Sequence, residues 1–259
     1  MKKSTRERLT LGSVAMLARP VLDLFLRRQW SGQEHLPRDR GFIVCPNHNT
    51  EIDPLIVGHY LYNSGHLPHF LAKASLFDIP VVGPILHASR QIPVERAGAR
   101  SNRSLVAARE VMDEGGAVIV YPEGTLTRDP DLWPMRGRTG AARLALQTGA
   151  PVVPVAQWGA NGLFPRYAKR IHPFPRKTAQ VVAGPPVDLS EFQGRPITKT
   201  VLDAATAKIM ESVTALLAEL RGEAAPAERW DPAAHAQKAT GRNFAGPEDP
   251  TVTSAKENQ

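Results

Sequence analysis

Short apolar runs alternate with helix-length patterns along most of this chain, and that alternation constrains the fold more than any other feature. Each apolar run is short enough to be a buried strand, and the stretches between the runs repeat apolar residues at spacings of three and four, as amphipathic helices do. Strands joined by helical crossovers predict a single α/β domain, with a mostly parallel or mixed central sheet flanked by helices. The predicted strands are Gly41–Cys45, His69–Ala72, Gln91–Val94, Ala117–Tyr121, Val152–Ala156 and Gln180–Ala183. The predicted helices are Pro54–Asn63, Ser101–Glu114, Thr139–Thr148 and Thr200–Arg221.

The two ends of the chain depart from this pattern. Residues Leu9–Arg28 place apolar side chains at helical spacing between basic ends, which predicts an amphipathic helix that either lies in a lipid interface or packs on its own domain. Residues 222–259 contain too few large apolar side chains to offset the entropy of ordering the chain. We therefore predict a membrane-facing amphipathic helix over residues 1–30, a globular domain over 31–221 and a disordered tail over 222–259.

Net charge narrows the class of partner. Lys and Arg number 32 against 25 Asp and Glu, which gives a net charge of +7. The predicted tail holds four basic and six acidic residues, so residues 1–221 hold the other 28 and 19 and carry +9. Such a charge favours nucleic acid, an anionic membrane surface or a phosphorylated substrate as partner. We expect no nucleic-acid partner, because aromatic residues are not interleaved in the basic stretches.

Several protein classes are excluded by what the sequence lacks. Cys45 is the only cysteine, so neither an intramolecular disulfide framework nor a structural zinc cluster is available. The best candidate for a membrane-spanning helix, Leu9–Leu26, is interrupted by Arg19 and Asp23. The motifs of nucleophile-elbow serine hydrolases, P-loop nucleotide hydrolases and zincins are all absent.

His48 and Asp53 lie on the predicted loop between the first strand and the first helix. One interpretation makes Asp53 the helix N-cap, with Pro54 at the first helical position. The other makes Asp53 the partner that holds the His48 imidazole in one tautomer and stabilises the imidazolium formed when His48 removes a proton. The two are compatible. Because no Ser or Cys nucleophile accompanies the pair, it suits direct deprotonation of a substrate hydroxyl.

Polar residues also follow the strand Ala117–Tyr121, where α/β proteins gather ligands. Gly124 permits close approach of the backbone, Thr125 offers a hydroxyl and an amide, and Arg128 offers charge for a phosphate. The alternative is an ordinary turn that ends a strand.

Cations and prolines mark three more strand positions. Lys73 ends one strand, and Arg96 follows another and begins a basic stretch that is usually a solvated face. Pro154 lies inside the strand Val152–Ala156, which predicts an edge strand or a bend beside a cavity.

Taken in chain order, these motifs resemble the four blocks of the glycerolipid acyltransferase family, and within it the bacterial 1-acylglycerol-3-phosphate acyltransferases. The His-Asp block alone is permissive, but its combination with a Pro-Glu-Gly-Thr block some seventy residues later is specific. The likeness covers residues 30–220. The four blocks are Asn47-His48-x4-Asp53, Val94-Glu95-Arg96, Tyr121-Pro122-Glu123-Gly124-Thr125 and Val153-Pro154-Val155.

The resemblance implies an enzyme that moves a fatty acyl group from a thioester, acyl-CoA or acyl carrier protein, to the hydroxyl of 1-acylglycerol-3-phosphate. The product is phosphatidic acid. By the same resemblance His48 is the general base, Asp53 orients it, and neither a metal nor an organic cofactor takes part. The implied location is the cytoplasmic face of the cell membrane, with the protein peripheral or monotopic and an anionic membrane surface as partner.

The resemblance also implies a site for the glycerol phosphate. One departure bears on it: the family often has Glu-Gly-Thr-Arg-Ser, whereas Leu126 follows Thr125 here. This departure leaves open another lysophospholipid or a glycosylated lipid as acceptor. The N-terminal helix and the arginines leave open a second alternative, a non-catalytic basic protein that docks on membranes. The residues implied to bind the glycerol phosphate are Arg96, Glu123, Gly124 and Thr125, with Lys73 and Arg128 as further candidate contacts.

Overall fold

The computed structural model describes residues 3–94 and 101–237, and within these ranges seven strands and six α-helices are found. The strands are β1 (Leu26–Ser31), β2 (Phe42–Pro46), β3 (Pro68–Lys73), β4 (Ile92–Val94), β5 (Ala117–Ile119), β6 (Val152–Trp158) and β7 (Lys177–Ala183). The helices are α1 (Lys3–Phe25), α2 (Asp53–Asn63), α3 (Val82–Ala88), α4 (Ser101–Asp113), α5 (Gly140–Thr148) and α6 (Lys199–Arg221).

The strands form one sheet in the order β1-β7-β6-β2-β5-β3-β4. All neighbours run parallel except β6 and β7, which are antiparallel. The strands β2 to β6 therefore all end at the same edge of the sheet, which we call the catalytic edge, and the segments after them lie side by side there. The prediction of a mostly parallel or mixed sheet flanked by helices is confirmed.

The central strand β2 is buried on both faces, which explains its uninterrupted apolar sequence. Its side chains alternate between two hydrophobic clusters, because successive residues of a strand point to opposite faces. Ile43 and Cys45 pack with residues of α4, α5 and α6. Phe42 and Val44 pack with residues of α2 on the other side. The burial of both faces holds the end of β2, and thus the start of the His48 loop, in a fixed position.

Helix α1 is tied to the sheet by contacts of the buried Glu7 carboxylate. Glu7 Oε1 lies 2.5 Å from His69 Nε2 in β3, and Glu7 Oε2 lies 3.4 Å from Arg90 Nη1. Both Glu7 and His69 are buried. Burial alone raises the pKa of Glu7, but the hydrogen bond and charge of His69, with Arg90, outweigh it, and the net shift is downward. None of the helices within residues 3–94 and 101–237 is long and apolar enough to cross a membrane.

Two elements were missed in the sequence patterns. The edge strand β1 has the sequence LRRQWS, whose arginines are exposed as is typical of edge strands, and it pairs with β7. Because the chain joins the sheet at Leu26, the helix predicted over Leu9–Arg28 ends at Phe25. The other missed element, α3, has seven residues, too few to display a helical period.

The prediction that Pro154 marks an edge strand is wrong, and its alternative, a bend beside a cavity, stays a prediction. Its strand, β6, lies inside the sheet between β7 and β2, and Pro154 faces Cys45 in the register with β2. The Pro154 carbonyl accepts a hydrogen bond from the Gly184 amide at 2.9 Å. Because β7 ends at Ala183, the missing N–H of Pro154 affects only the end of that ladder, so a proline is tolerated in an interior strand.

The first part of the predicted tail, residues 222–237, lies against the domain. The Arg136 amide donates to the Trp230 carbonyl at 2.9 Å, and the Arg136 guanidinium pairs with Asp231 at 2.9 Å. The Trp230 ring stacks on His235, with 3.5 Å between ring centroids. The rest of the predicted tail, residues 238–259, lies outside the described residues.

Candidate active site

His48 and Asp53 lie on the loop between β2 and α2, at the catalytic edge of the sheet. The Nδ1 atom of His48 is 3.0 Å from Oδ2 of Asp53. The His48 side chain is 16% exposed, whereas that of Asp53 is fully buried. The two residues singled out by their spacing are thus in direct contact, and the imidazole remains accessible from solvent.

Asp53 does not cap helix α2. The helix begins at Asp53 itself, Ile52 occupies the cap position, and no side chain caps the first turn. The Asp53 carboxylate turns back to the loop, where Oδ2 accepts hydrogen bonds from the amides of Asn49 at 2.6 Å and Thr50 at 2.9 Å. The N-cap interpretation is therefore wrong, because a capping side chain bonds to amides further along its own helix. The loop amides hold the carboxylate in the orientation that contacts His48.

Glu123 holds the backbone of His48 from the turn after β5. Its Oε1 accepts a hydrogen bond from the His48 amide at 2.8 Å, and its Oε2 accepts one from the Met135 amide at 3.2 Å. Burial is the main cause that raises the pKa of Glu123 to about 8, in spite of these hydrogen bonds. Both carboxylate oxygens are occupied by main-chain donors. Glu123 therefore holds two main-chain segments together, and its expected contact with the acceptor stays a prediction.

Tyr121 covers one face of the catalytic-site imidazole. The rings of Tyr121 and His48 stack with 4.0 Å between centroids and 26° between planes. The Tyr121 hydroxyl is buried and has no hydrogen-bond partner among the described residues, and burial raises its pKa. In the sequence, Tyr121 is marked only as the first residue of the Tyr-Pro-Glu-Gly-Thr block. An aromatic residue directly before Pro-Glu-Gly-Thr was the available signal for this contact.

Asn47 and Gln157 join the start of the His48 loop to β6. The Asn47 side-chain amide donates to the Gln157 carbonyl at 3.0 Å and accepts from the Gln157 amide at 2.8 Å. Both residues are buried. The sequence offered no signal for this pair, since the partners lie 110 positions apart.

The loop after β5 is held against His48 and encloses Arg128. The Thr127 amide donates to the His48 carbonyl at 2.7 Å, and the Thr127 hydroxyl donates to the Trp133 carbonyl at 2.6 Å. Arg128 is only 1% exposed, and burial is the main cause that lowers its pKa. The expectation that Arg128 offers its charge to a phosphate stays a prediction, for a side chain that is buried.

Residues 27–158 match the profile of the family described as Acyltransferase. This match covers half of the chain and includes the His48 loop, the turn after β5 and strand β6. The chain belongs to the acyltransferase family. The family resemblance inferred from the four sequence blocks is confirmed.

Proteins similar to this acyltransferase carry a more specific description. A 1-acyl-sn-glycerol-3-phosphate acyltransferase of Borreliella burgdorferi is 31% identical over 183 residues, which cover 69% of this chain and 70% of that protein. One from Bacillus subtilis is 28% identical over 167 residues, 63% of this chain and 75% of that protein. A chloroplastic one from Brassica napus is 31% identical over 143 residues, and the chain spans only 40% of its length.

The fold agrees with these sequence matches. The crystal structure of the 1-acyl-sn-glycerophosphate acyltransferase from Thermotoga maritima superimposes with a TM-score of 0.66 at 25% sequence identity. The superposition covers 87% of this chain and 85% of that one. The chain is thus an acyltransferase that resembles 1-acylglycerol-3-phosphate acyltransferases.

The remaining candidate binding residues of this acyltransferase are distributed along the catalytic edge. Lys73 ends β3 with an exposed side chain, and it faces Val94 in the register with β4. Gly124 is exposed and Thr125 half-buried in the turn after β5. Arg96 lies outside the described residues.

The structure also bears on a cysteine nucleophile and on a metal site in this acyltransferase. Burial raises the pKa of the Cys45 thiol far above its ordinary range, so Cys45 is poorly suited to act as a nucleophile. In the part of the chain that the structure describes, no group of three or more His, Cys, Asp or Glu residues is arranged to hold a metal ion.

Proposed function

We propose that this acyltransferase moves a fatty acyl group from acyl-CoA or acyl carrier protein to the hydroxyl of 1-acylglycerol-3-phosphate, giving phosphatidic acid. The observation that carries the proposal is the contact of His48 Nδ1 with the buried Asp53 carboxylate, at 3.0 Å. The printed names of the relatives from Borreliella burgdorferi and Bacillus subtilis support the choice of acceptor.

His48 acts as the general base in the proposed reaction. Because Nδ1 is engaged by Asp53, Nε2 takes the proton from the acceptor hydroxyl as its oxygen attacks the thioester carbonyl carbon. The new C–O bond forms, the C–S bond breaks, and the leaving thiolate takes the proton back from the imidazolium. Asp53 keeps the imidazole in the required tautomer and stabilises its charged form. The products are an ester and a thiol, and the histidine is regenerated.

The residues around the imidazole keep it in place during this cycle. Glu123 holds the His48 amide, and Tyr121 restricts the rotation of the ring by stacking on it. We assign the binding of the acceptor phosphate to the catalytic edge, where Lys73, Gly124 and Thr125 are accessible. Exposed glycine backbone and a hydroxyl suit a phosphate ester.

The test is acyl transfer by the purified protein from labelled acyl-CoA or acyl carrier protein to lysophosphatidic acid. We expect phosphatidic acid to form, and His48→Ala to lower kcat by roughly 10²- to 10⁴-fold, the usual contribution of a general base. His172→Ala, at an exposed histidine, is the matched control and keeps the wild-type rate. Absence of transfer across several acyl chain lengths would rule the proposal out.

Leu126 supports a second candidate acceptor. It is buried where the family often carries arginine, so this turn lacks one expected cation. A different lysophospholipid or a glycosylated lipid is therefore the second proposal for the acceptor. Competition among these lipids and lysophosphatidic acid in the same assay distinguishes the two.

We propose further that α1 rests on an anionic membrane at its cytoplasmic face. One side of α1 packs on the domain through Leu11, Leu22 and Phe25, whereas the other side presents apolar side chains to solvent. Exposed basic residues flank this second side, as in helices that lie in a lipid interface. The exposed large apolar residues of α1 are Leu9, Met16, Leu17, Val21 and Leu24.

On this assignment the membrane-facing part of the predicted segment 1–30 is helix α1, because β1 belongs to the sheet of the domain. We keep residues 31–221 as the acyltransferase domain and residues 222–259 as the tail, whose first part packs on that domain. The helix both packs on its domain and presents a lipid-facing side, so the two interpretations of the N-terminal pattern describe different sides of one helix.

A further inference from the structure

Three arginines converge on the loop that lies against His48. Arg128 and Arg138 lie between β5 and α5, and Arg166 comes from the segment after β6. Their charges are close enough to interact, since both Arg138 and Arg166 contribute to lowering the pKa of Arg128, after burial. Three guanidinium groups, with the Asp129 carboxylate beside Arg166, therefore place positive charge at one accessible turn, where it favours an anion.

The three arginines differ in exposure. Arg128 is buried. Arg166 is half-buried and uses its Nη1 to donate hydrogen bonds to the carbonyls of Thr127 and, at 3.0 Å, of Asp129. Arg138 is exposed, so a ligand can approach it from solvent more readily than the other two.

Arg138 lies across Gly124. A Cβ atom at position 124 would lie 2.7 Å from Cδ and 2.8 Å from Nε of Arg138, so a larger residue there would displace this side chain from its present position. Gly124 also has φ 71°, a conformation that other residues rarely adopt. The turn is thus shaped so that the guanidinium crosses its exposed side.

Hydrogen bonds connect this arginine to the reacting histidine. The Arg138 amide donates to the Pro122 carbonyl at 2.7 Å, in the same turn. Glu123, which follows Pro122 in the chain, accepts a hydrogen bond from the His48 amide at 2.8 Å. The base of the Arg138 side chain therefore has a fixed position relative to the imidazole.

We propose that Arg138 binds the phosphate of the acceptor, in the turn where Leu126 supplies no cation. The inference rests on the proposed function, since it requires a phosphorylated acceptor. A guanidinium presents parallel N–H groups that match two phosphate oxygens. In 1-acylglycerol-3-phosphate the free hydroxyl lies on the carbon next to the one that bears the phosphate. A cation in the turn that positions His48 therefore suits both ends of this acceptor.

The test compares steady-state kinetics of Arg138→Gln with those of Arg136→Gln. Arg136 is an exposed arginine two positions away that pairs with Asp231, so its variant removes the same charge from the same segment. We expect Arg138→Gln to raise KM for lysophosphatidic acid roughly 10- to 100-fold, as for lost charge-assisted hydrogen bonds. Arg136→Gln keeps the wild-type KM. Arg138→Lys falls between, because it keeps the charge but loses the two-pronged geometry.

A phosphate-free monoacylglycerol is the second acceptor in this test. Its slow acylation stays the same in wild type and Arg138→Gln if Arg138 contacts phosphate. Equal losses with both acceptors, or equal KM values for the Arg138 and Arg136 variants, overturn the inference.

Titration with inorganic phosphate separates this inference from the proposed function. We expect phosphate to shift the arginine Nε–Hε NMR signal of Arg138 in wild type and Arg136→Gln, and the shifting signal to be missing from Arg138→Gln. If wild type acylates no lysophosphatidic acid, the proposed function fails and the titration still judges the arginine. Absence of the shift in wild type overturns the assignment of Arg138.

Discussion

The carboxylate of Glu123 accepts a hydrogen bond from the main-chain amide of His48 at 2.8 Å, across 75 positions of sequence. The turn after β5 therefore holds the main chain of His48, and through it the base of the imidazole side chain. This contact gives a physical reason why a His-Asp block and a Pro-Glu-Gly-Thr block occur together: each occupies the end of one of two neighbouring parallel strands, β2 and β5.

Glu123 makes stability depend on pH with a predictable sign. Burial raises its pKa in the folded protein from 4.5 to about 8, so the folded state binds more protons than the unfolded state between these values. The Glu123 contribution is fully present below about pH 4.5 and is lost as pH rises through about 8, with a slope of at most about 1.36 kcal/mol per pH unit.

Glu123→Gln removes this dependence, because an amide does not titrate. We expect the unfolding free energy of wild type minus that of the variant to fall as pH rises from about 4.5 to about 8. Urea unfolding at several pH values measures it. Glu219→Gln, at an exposed site on α6, serves as control and shows no such trend. A difference that stays constant with pH contradicts the assignment.

Asp53→Asn keeps the His48 imidazole but removes the carboxylate that orients it. We expect kcat to fall by roughly 10²- to 10⁴-fold, because Asp53 fixes the tautomer in which His48 accepts the proton. The melting temperature falls as well, since Asp53 Oδ2 also accepts from the Asn49 and Thr50 amides. Asp113→Asn, at the exposed end of α4, leaves both quantities unchanged. A near-normal kcat for Asp53→Asn is incompatible with the proposed mechanism.

Two substitutions of Tyr121 separate the effect of its ring, which stacks on His48, from the effect of its buried hydroxyl. Tyr121→Phe keeps the ring on His48 and removes a buried hydroxyl without a partner among the described residues, so we expect unchanged kcat and equal or higher stability. Tyr121→Leu loses the stacking, worth about 0.5–1.5 kcal/mol, and we expect kcat to fall roughly 2- to 10-fold. Kinetics and thermal unfolding of both variants measure this. Equal kcat values would show that the stacked ring does not position the imidazole.

Leu17→Glu tests the membrane-facing side of α1. Leu17 is 71% exposed, so the change costs the fold little, whereas burial of a leucine in lipid is worth about 1.5–3 kcal/mol. We expect partitioning onto anionic vesicles to weaken at least roughly 10-fold in a sedimentation assay. Val106→Glu, at a 58% exposed valine on α4, is the control and binds like wild type. Equal loss in both variants would place the lipid contact elsewhere.

Local features of the site could be predicted from the sequence, and contacts between distant segments could not. The His48–Asp53 contact spans one loop, so spacing alone indicated it. The pairing of Asn47 with Gln157 depends on β2 and β6 being neighbours, which a single sequence does not reveal. The sequence also could not distinguish the buried Arg128 from an exposed arginine, because the path of the loop decides burial.

The same limit applies to the fold. Strands buried on both faces, such as β2, could be predicted because burial of both faces requires a continuous apolar run in the sequence. The edge strand β1 was missed because its exposed side chains are charged, and only pairing with β7 makes it a strand. Of the two interpretations of Asp53, the cap arises from the local preference of the dipeptide Asp53-Pro54, and the loop amides outweigh that preference in the folded chain.

Strand β3 works as a strut between α1 and the catalytic edge. Glu7 of α1 is held at His69, and Lys73 ends the same strand four residues later, about 13 Å away at about 3.3 Å per residue. In the proposed membrane-bound state, the length of this one strand therefore separates the lipid-facing helix from the end of the sheet to which we assign the acceptor phosphate. A lipid acceptor would have to span that separation between the bilayer and His48 before it reacts.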